Sequence, residues 1–246
     1  MFLESLVDFE ENLFERLSQS ANFEDITNGR QGAILLDLQN DLIPIVRTTT
    51  MYQNSASRFS QIHHDIIDKI KINFNLHDLK FNNAMIEIYD DNYCTMGFHS
   101  DQALDLDNDS YICIFSCYDN PPLNNKGVRK LKIEKKESKT HTEVILRHNS
   151  IVLFSTSVNK QYLHKIILEN KGHNRWLGIT FRLSKTYIKL TEGIPYFYGS
   201  DRRLVLANED EKKQFYKYRR LENSSINYEY PEINYTISNS DILTPQ

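Results

Sequence analysis

The residues best suited to do chemistry lie in the stretch Gly97-Phe98-His99-Ser100-Asp101. On an extended chain, residues i and i+2 project to the same side, so the His99 imidazole and the Asp101 carboxylate can converge on one ion. Two imidazoles and one carboxylate on a face of an octahedron leave three positions open, the donor set of non-haem Fe(II) oxygenases. The third donor must come from another strand. His164, in Gln161-Tyr162-Leu163-His164-Lys165-Ile166, suits that role, because the second and seventh strands of an eight-stranded jelly roll can lie side by side. Arg182, in the otherwise apolar Gly178-Ile179-Thr180-Phe181-Arg182, also requires a partner. A dicarboxylate cosubstrate would supply one through bidentate hydrogen bonds, and Asp101 or Glu87 would supply one through an internal salt bridge.

These residues need strands to hold them, and the period of two from residue 82 onward provides the pattern. Successive strands are expected at Asn83 to Tyr89, Thr95 to His99, Ser110 to Tyr118, Arg129 to Lys135, Thr142 to Arg147, Ile151 to Ser155, Gln161 to Leu168 and Arg175 to Leu183. Turn-forming clusters separate them: Asp90-Asp91-Asn92, Asp105 to Asp109, Asp119 to Asn125, His148-Asn149-Ser150 and Asn170 to Asn174. About eight closely spaced strands imply a mainly β fold with flanking helices (α+β), a double-stranded β-helix or jelly roll. Before this core, residues 1 to 18 carry Leu3, Leu6, Val7, Leu13, Phe14 and Leu17 at helical spacing, and Arg58 to Lys71 reads as a second helix with Ser55 and Ser57 as caps. His63 and His64 beside its apolar stripe point about 100° apart on a helix and read as surface residues, not a shared metal site. After the core, Asn208 to Leu221 reads as a helix with acids in its first turn and Lys217, Arg219 and Arg220 in its last, complementing the helix dipole. Residues 222 to 246 are polar and aperiodic, expected to be mobile or draped over the surface. The divisions are therefore 1–80 (N-terminal helices packed on the core), 81–186 (the jelly-roll core) and 187–246 (C-terminal helix and polar tail).

Composition excludes several classes. The longest apolar runs, such as Ile112 to Phe115 and Ile151 to Phe154, fall far short of the ~18 residues of a membrane span, so no membrane association is expected. The acidic first turns (Glu4, Asp8, Glu10, Glu11) are unlike a secretory signal, giving an expectation of a cytoplasmic or nuclear chain. Three cysteines with no Cys-x-x-Cys pair indicate neither a disulfide framework nor a structural zinc site. A net charge of −4 argues against bulk electrostatic attraction to nucleic acid. A local run of Arg129, Lys130, Lys132, Lys135, Lys136 and Lys139 leaves DNA or RNA binding through a patch open, although Lys130 and Lys132 alternate with Leu131 and Ile133 as on the solvated face of a half-buried strand.

Taken together, Asn82-Asn83-Ala84-Met85-Ile86-Glu87-Ile88-Tyr89, His99-Ser100-Asp101, His164 and Ile179-Thr180-Phe181-Arg182 resemble the AlkB branch of the Fe(II)- and 2-oxoglutarate-dependent dioxygenases, over about Leu42 to Thr186. The resemblance implies that His99, Asp101 and His164 bind Fe(II). It implies that Tyr89 and Arg182 contact 2-oxoglutarate, and that O2 is the oxidant in a hydroxylation or oxidative demethylation. It also makes Ile43 to Tyr52 the strand entering a nucleotide-recognition lid, with Arg47, Met51 and Tyr52 as substrate contacts. Three positions depart from the family pattern. A second arginine expected six residues before Arg182 is Trp176; Arg175 is seven residues away, so either a bulge turns it inward or the second carboxylate contact is built differently. An asparagine two residues before the tyrosine is Glu87, and an acid two residues after the metal aspartate is Ala103, which weakens transfer of base repair. The alternatives are a dioxygenase of protein or small-molecule substrates and a non-catalytic jelly-roll binding module.

Overall fold

The computed structural model describes residues 1–122 and 126–246; the end of the turn cluster expected at Asp119 to Asn125 lies outside the described residues. In chain order the first elements are β1 (Leu3–Leu6), α1 (Phe14–Ser18), β2 (Glu24–Thr27), β3 (Arg30–Leu36), β4 (Ile43–Pro44), β5 (Ser57–Arg58) and α2 (Gln61–Phe74). The central strands follow as β6 (Asn83–Tyr89), β7 (Tyr111–Tyr118), β8 (Arg129–Lys135), β9 (His141–Leu146) and β10 (Ser150–Ser155), then α3 (Thr156–Gln161), β11 (Tyr162–Leu168) and β12 (Trp176–Arg182). The chain ends with β13 (Tyr187–Thr191), β14 (Ile194–Phe197), β15 (Val205–Leu206), α4 (Glu209–Ser224), β16 (Tyr235–Thr236) and a short 3₁₀ turn at Asn239–Asp241.

The major sheet has the order β1-β10-β7-β12-β6-β3-β2, with β5 beside β3; the minor sheet is β11-β8-β9. Strands β7, β10 and β12 are nearly continuous runs of apolar side chains because both their faces are covered. One face (Ile86, Ile88, Phe115, Leu153, Leu177, Ile179, Phe181) packs on the α2 stripe Ile62, Ile66, Ile67 and Ile70. The other (Tyr89, Ile112, Ile114, Val152, Phe154, Trp176) faces Leu131, Ile133, Val144, Leu146 and Ile166 of the minor sheet. This second layer is where a jelly roll holds its site, and β8 alternates buried and half-buried residues as a one-face strand should.

Several local expectations are corrected. Leu3–Leu6 is an edge strand paired with β10, and only Phe14–Ser18 is helical in residues 1–18. The apolar spacing there served two short elements, because an open sheet edge offers Leu3 to Leu6 a ready ladder. Thr95 to His99 contributes two isolated bridges to β11, at Thr95↔Ile167 and His99↔His164, in place of a full strand. The second helix begins at Gln61; Ser60 caps it, its N–H donating to His63 Nδ1 (2.9 Å), and His63 is buried, not exposed. Residues 222–246 drape over the protein with Ile233, Tyr235 and Ile237 buried against Phe215 of α4. The two-residue β16 and the final backbone bond from Gln246 N–H to Ala56 carbonyl fix that path. Cys113 and Cys117 are buried thiols, as packing residues should be.

Candidate metal and cosubstrate site

His99 and His164 form a hydrogen-bonded antiparallel pair, His99 N–H to His164 carbonyl (3.0 Å) and the reverse (2.6 Å). Directly opposed residues in such a pair project to the same face, which sets the two imidazole centroids 4.7 Å apart. Asp101 joins them two residues on, and one ligand atom from each of His99, Asp101 and His164 lies within 4.8 Å of the others. The convergence expected from the i, i+2 spacing and the cross-strand pairing is therefore what the fold builds.

The Asp101 backbone is held by a residue the sequence did not announce. Asn159, in α3 and almost wholly buried, accepts from Asp101 N–H and donates to Asp101 carbonyl, both at 2.7 Å. One carboxamide thus replaces a neighbouring strand at the point where the candidate ligand segment leaves the sheet. Helix α4 clamps the same segment from the other side. Asn223 Oδ1 accepts from Ser100 N–H (3.1 Å), Glu222 from Ala103 N–H (2.8 Å), and Arg219 donates to Ser100 carbonyl while pairing with Glu222. Arg219 accordingly belongs to the site wall; α4 runs on to Ser224, so Lys217, Arg219 and Arg220 stand before its last turn and not in it.

Electrostatics suit a cation. Burial, with His164 and Arg219 nearby, pushes His99 down to about 3, so its imidazole is neutral and able to ligate at neutral pH. Burial alone would push the Asp101 carboxyl up, but Arg182, with His164 and His99, holds it well below the usual carboxylate range. Arg182 Nε donates to Asp101 Oδ2 at 2.6 Å, both side chains being about 5% exposed or less. The internal salt bridge weighed for Arg182 is present, yet its Nη1 remains buried without a partner, as does His164 Nδ1.

A cavity of about 410 Å³ opens above these residues, lined among others by Arg30, Glu87, Tyr89, Gln102, Arg182 and Arg219. Tyr89 donates to Glu87 Oε2 (2.5 Å), and Arg30 of β3, directly opposite Tyr89, donates through Nε to Glu87 Oε1 (2.7 Å). Gln102 is 4% exposed and neither amide atom has a partner. Such a group is rare in a folded interior unless something else satisfies it.

Other sequence candidates stand elsewhere. The β12–β6 pairing is unbroken from Trp176 to Arg182, so no bulge turns Arg175 inward. It is exposed, paired with Asp119 (3.0 Å) and stacked on Phe14. Arg47 is buried in an ion pair with Asp105 (2.7 Å), and Tyr52 is packed in a separate core cluster. Met51 is 48% exposed; Thr48, Thr49 and Thr50 of that segment are the ones that line the cavity. The basic run is largely spent internally. Lys130 and Lys132 pair with Glu143 and Glu169, Lys139 with Glu134, while Arg129 and Lys136 are buried on backbone carbonyls.

A family profile described as the 2OG-Fe(II) oxygenase superfamily matches residues 43–190, more than half of the chain and all three candidate metal ligands. The chain belongs to that superfamily. It is an Fe(II)- and 2-oxoglutarate-dependent dioxygenase. No curated protein matches the oxygenase in sequence. Among solved structures, a Pseudomonas putida prolyl-4-hydroxylase is similar at TM-score 0.46 and 11% identity, over 74% of this chain and 92% of that one. No helix among the described residues is long and apolar enough to cross a membrane.

The residues fit both groups that the family requires. Two imidazoles and one ionised carboxylate are the donors Fe(II) takes. Around them Arg182 and Asp101 cancel, as do Arg30 and Glu87, so a dication adds two positive charges and a dianion restores neutrality. Arg182 Nη1, buried and without a partner, is a donor that an anion could satisfy.

Proposed function

We propose that His99, Asp101 and His164 hold the iron, that Arg182 and Tyr89 face 2-oxoglutarate, and that the enzyme is an AlkB-like oxygenase acting on a compact, flat group such as a nucleic-acid base. The convergence of the three donors beside an unpartnered Arg182 Nη1 carries the assignment. When bound, iron and 2-oxoglutarate supply oxidative decarboxylation to succinate and CO2 coupled to hydroxylation of a C–H bond; at an N-methyl group the product loses formaldehyde. The chain's share is positioning. Asn159 and α4 fix the ligand segment, and Arg182 keeps Asp101 ionised and turned toward the metal.

For the substrate, Met96 and Phe98 offer flat or polarisable surfaces at the cavity, and Gln102 offers one donor and one acceptor suited to a base edge. The neutralised lysines of β8 and the net charge of −4 lead us to expect weak, salt-sensitive engagement. They also favour, as a second reading, a protein or small-molecule substrate. Methylated oligonucleotides should stimulate succinate formation; stimulation by peptides or metabolites alone would replace the base with that second class.

A further inference from the structure

A five-carbon diacid carries charge at both ends, and the site accounts plainly for one of them. Arg182 Nε is committed to the metal ligand Asp101, so Arg182 serves the metal end of the cavity. Its free Nη1 is one donor for one carboxylate. Farther along β12 the side chains on this face are apolar: Trp176 lies over Gly178, whose absent Cβ would fall 1.9 Å from the indole, and packs tilted against Tyr89 at 4.9 Å. No cation projects from β12 there. Among the described residues the arginines or lysines lining the cavity are Arg30, Arg182 and Arg219, and Arg219 is occupied by Glu222 and Ser100 carbonyl on the α4 side.

We infer that Arg30, from β3, binds the distal carboxylate of 2-oxoglutarate, with Glu87 as its positioning residue. The inference rests on the family's use of 2-oxoglutarate in this cavity and names a contact from a different strand. Strand register supports it. Arg30 stands opposite Tyr89, and Gly32 and Gly178 flank Glu87 on either side, so no side chain but Glu87 rises from that row of the three strands. Arg30 spends Nε and Nη2 on Glu87 and Nη2 also on Thr50 (3.3 Å), while Nη1 makes no hydrogen bond among the described residues. Tyr89 and Tyr93 lie under its guanidinium, which fixes the plane of the fork. Glu87 thereby has a purpose: it pre-orients a cation borrowed from a neighbouring strand, at the cost of part of that cation's charge.

The test compares two ligands on the full-length protein loaded anaerobically with Fe(II): 2-oxoglutarate, and 2-oxobutanoate, which keeps the metal-binding end and lacks the distal carboxylate. Affinities are read by calorimetry, without turnover. Arg30→Met should weaken 2-oxoglutarate on the order of 10- to 100-fold, as loss of a charge-assisted contact does, and leave 2-oxobutanoate unchanged. Glu87→Gln, which keeps the shape and frees Arg30 from its acid, should strengthen 2-oxoglutarate relative to 2-oxobutanoate, and it decides the matter if the arginine variant fails to fold. Equal losses for both ligands, or a ratio unmoved by either substitution, would overturn the assignment of Arg30. Failure of the wild-type protein to bind either 2-oxo acid would instead overturn the cosubstrate reading itself, and the assignment with it.

Discussion

Replacing Arg182 by Met keeps most of the side-chain volume and removes one charge, which makes its consequence calculable. Arg182 and Asp101 are both nearly inaccessible to solvent and 2.6 Å apart, so the substitution strands a buried carboxylate. Removing one partner of such a pair costs about 3–5 kcal/mol. For a chain of this length, where about 1 kcal/mol moves Tm by roughly 2–4 °C, the metal-free variant should melt about 6–20 °C below wild type. A bound dication restores a counter-charge to Asp101, so the deficit should shrink when both proteins are saturated with a divalent metal, since a ligand that binds the folded state better in one form stabilises that form more. Calorimetric melting with and without metal measures both numbers. The variant should also lose 2-oxoglutarate binding, because Nη1 leaves with the guanidinium. An identical Tm deficit in the presence and absence of metal would show that Arg182 acts by packing and that the charge pairing at Asp101 is misread.

Asn159→Ala removes both hydrogen bonds to the Asp101 backbone; with each buried orphan group costing about 1–3 kcal/mol, it should lower stability and weaken metal affinity roughly 10- to 100-fold, measured by competition with a chelator. An Asn159→Ala protein with wild-type metal affinity would show that α3 does not position the ligand. Burial raises Asp241 from 3.8 to about 7, against the opposing hydrogen bond from Thr236. The folded state therefore holds a proton between about pH 4 and 7 that the unfolded state has released, so this residue's contribution to stability falls as pH rises through that window and is constant above it. Asp241→Asn should flatten that component of the denaturation profile and raise stability near pH 7; a profile parallel to wild type across the window would refute the assignment.

The parts of this site that were legible in the sequence are those governed by short-range periodicity. The i, i+2 spacing of His99 and Asp101 on extended chain, the alternation of β8 and the acids in the first turn of α4 all depend on neighbours within a few positions. Strand limits for β6, β8 and β10 to β12 follow from the same signal. What stayed hidden is long-range. Asn159 is 58 residues from the backbone it clamps, and Asn223 is 123 residues from Ser100; a lone asparagine carries no pattern that announces either partner. Arg30 enters the cavity only because β3 pairs with β6, an adjacency no local spacing encodes. Leu3–Leu6 shows the converse failure, where apolar spacing compatible with a helix was overridden by an available sheet edge. The lid candidates Arg47 and Tyr52 failed for a related reason: a resemblance in sequence order put them over the substrate, whereas Asp105 and a separate apolar cluster draw them into the interior.

His99, Asp101 and His164 are expected to hold one iron that 2-oxoglutarate then joins. The decisive measurement is to titrate 2-oxoglutarate into anaerobic Fe(II)-loaded protein and follow the visible charge-transfer absorption of the complex. One equivalent of 2-oxoglutarate should develop the band in the wild-type protein, and none should appear in folded His99→Ala, Asp101→Ala or His164→Ala proteins. A band that persists in any of the three variants, or its absence from the wild type, would contradict the assignment.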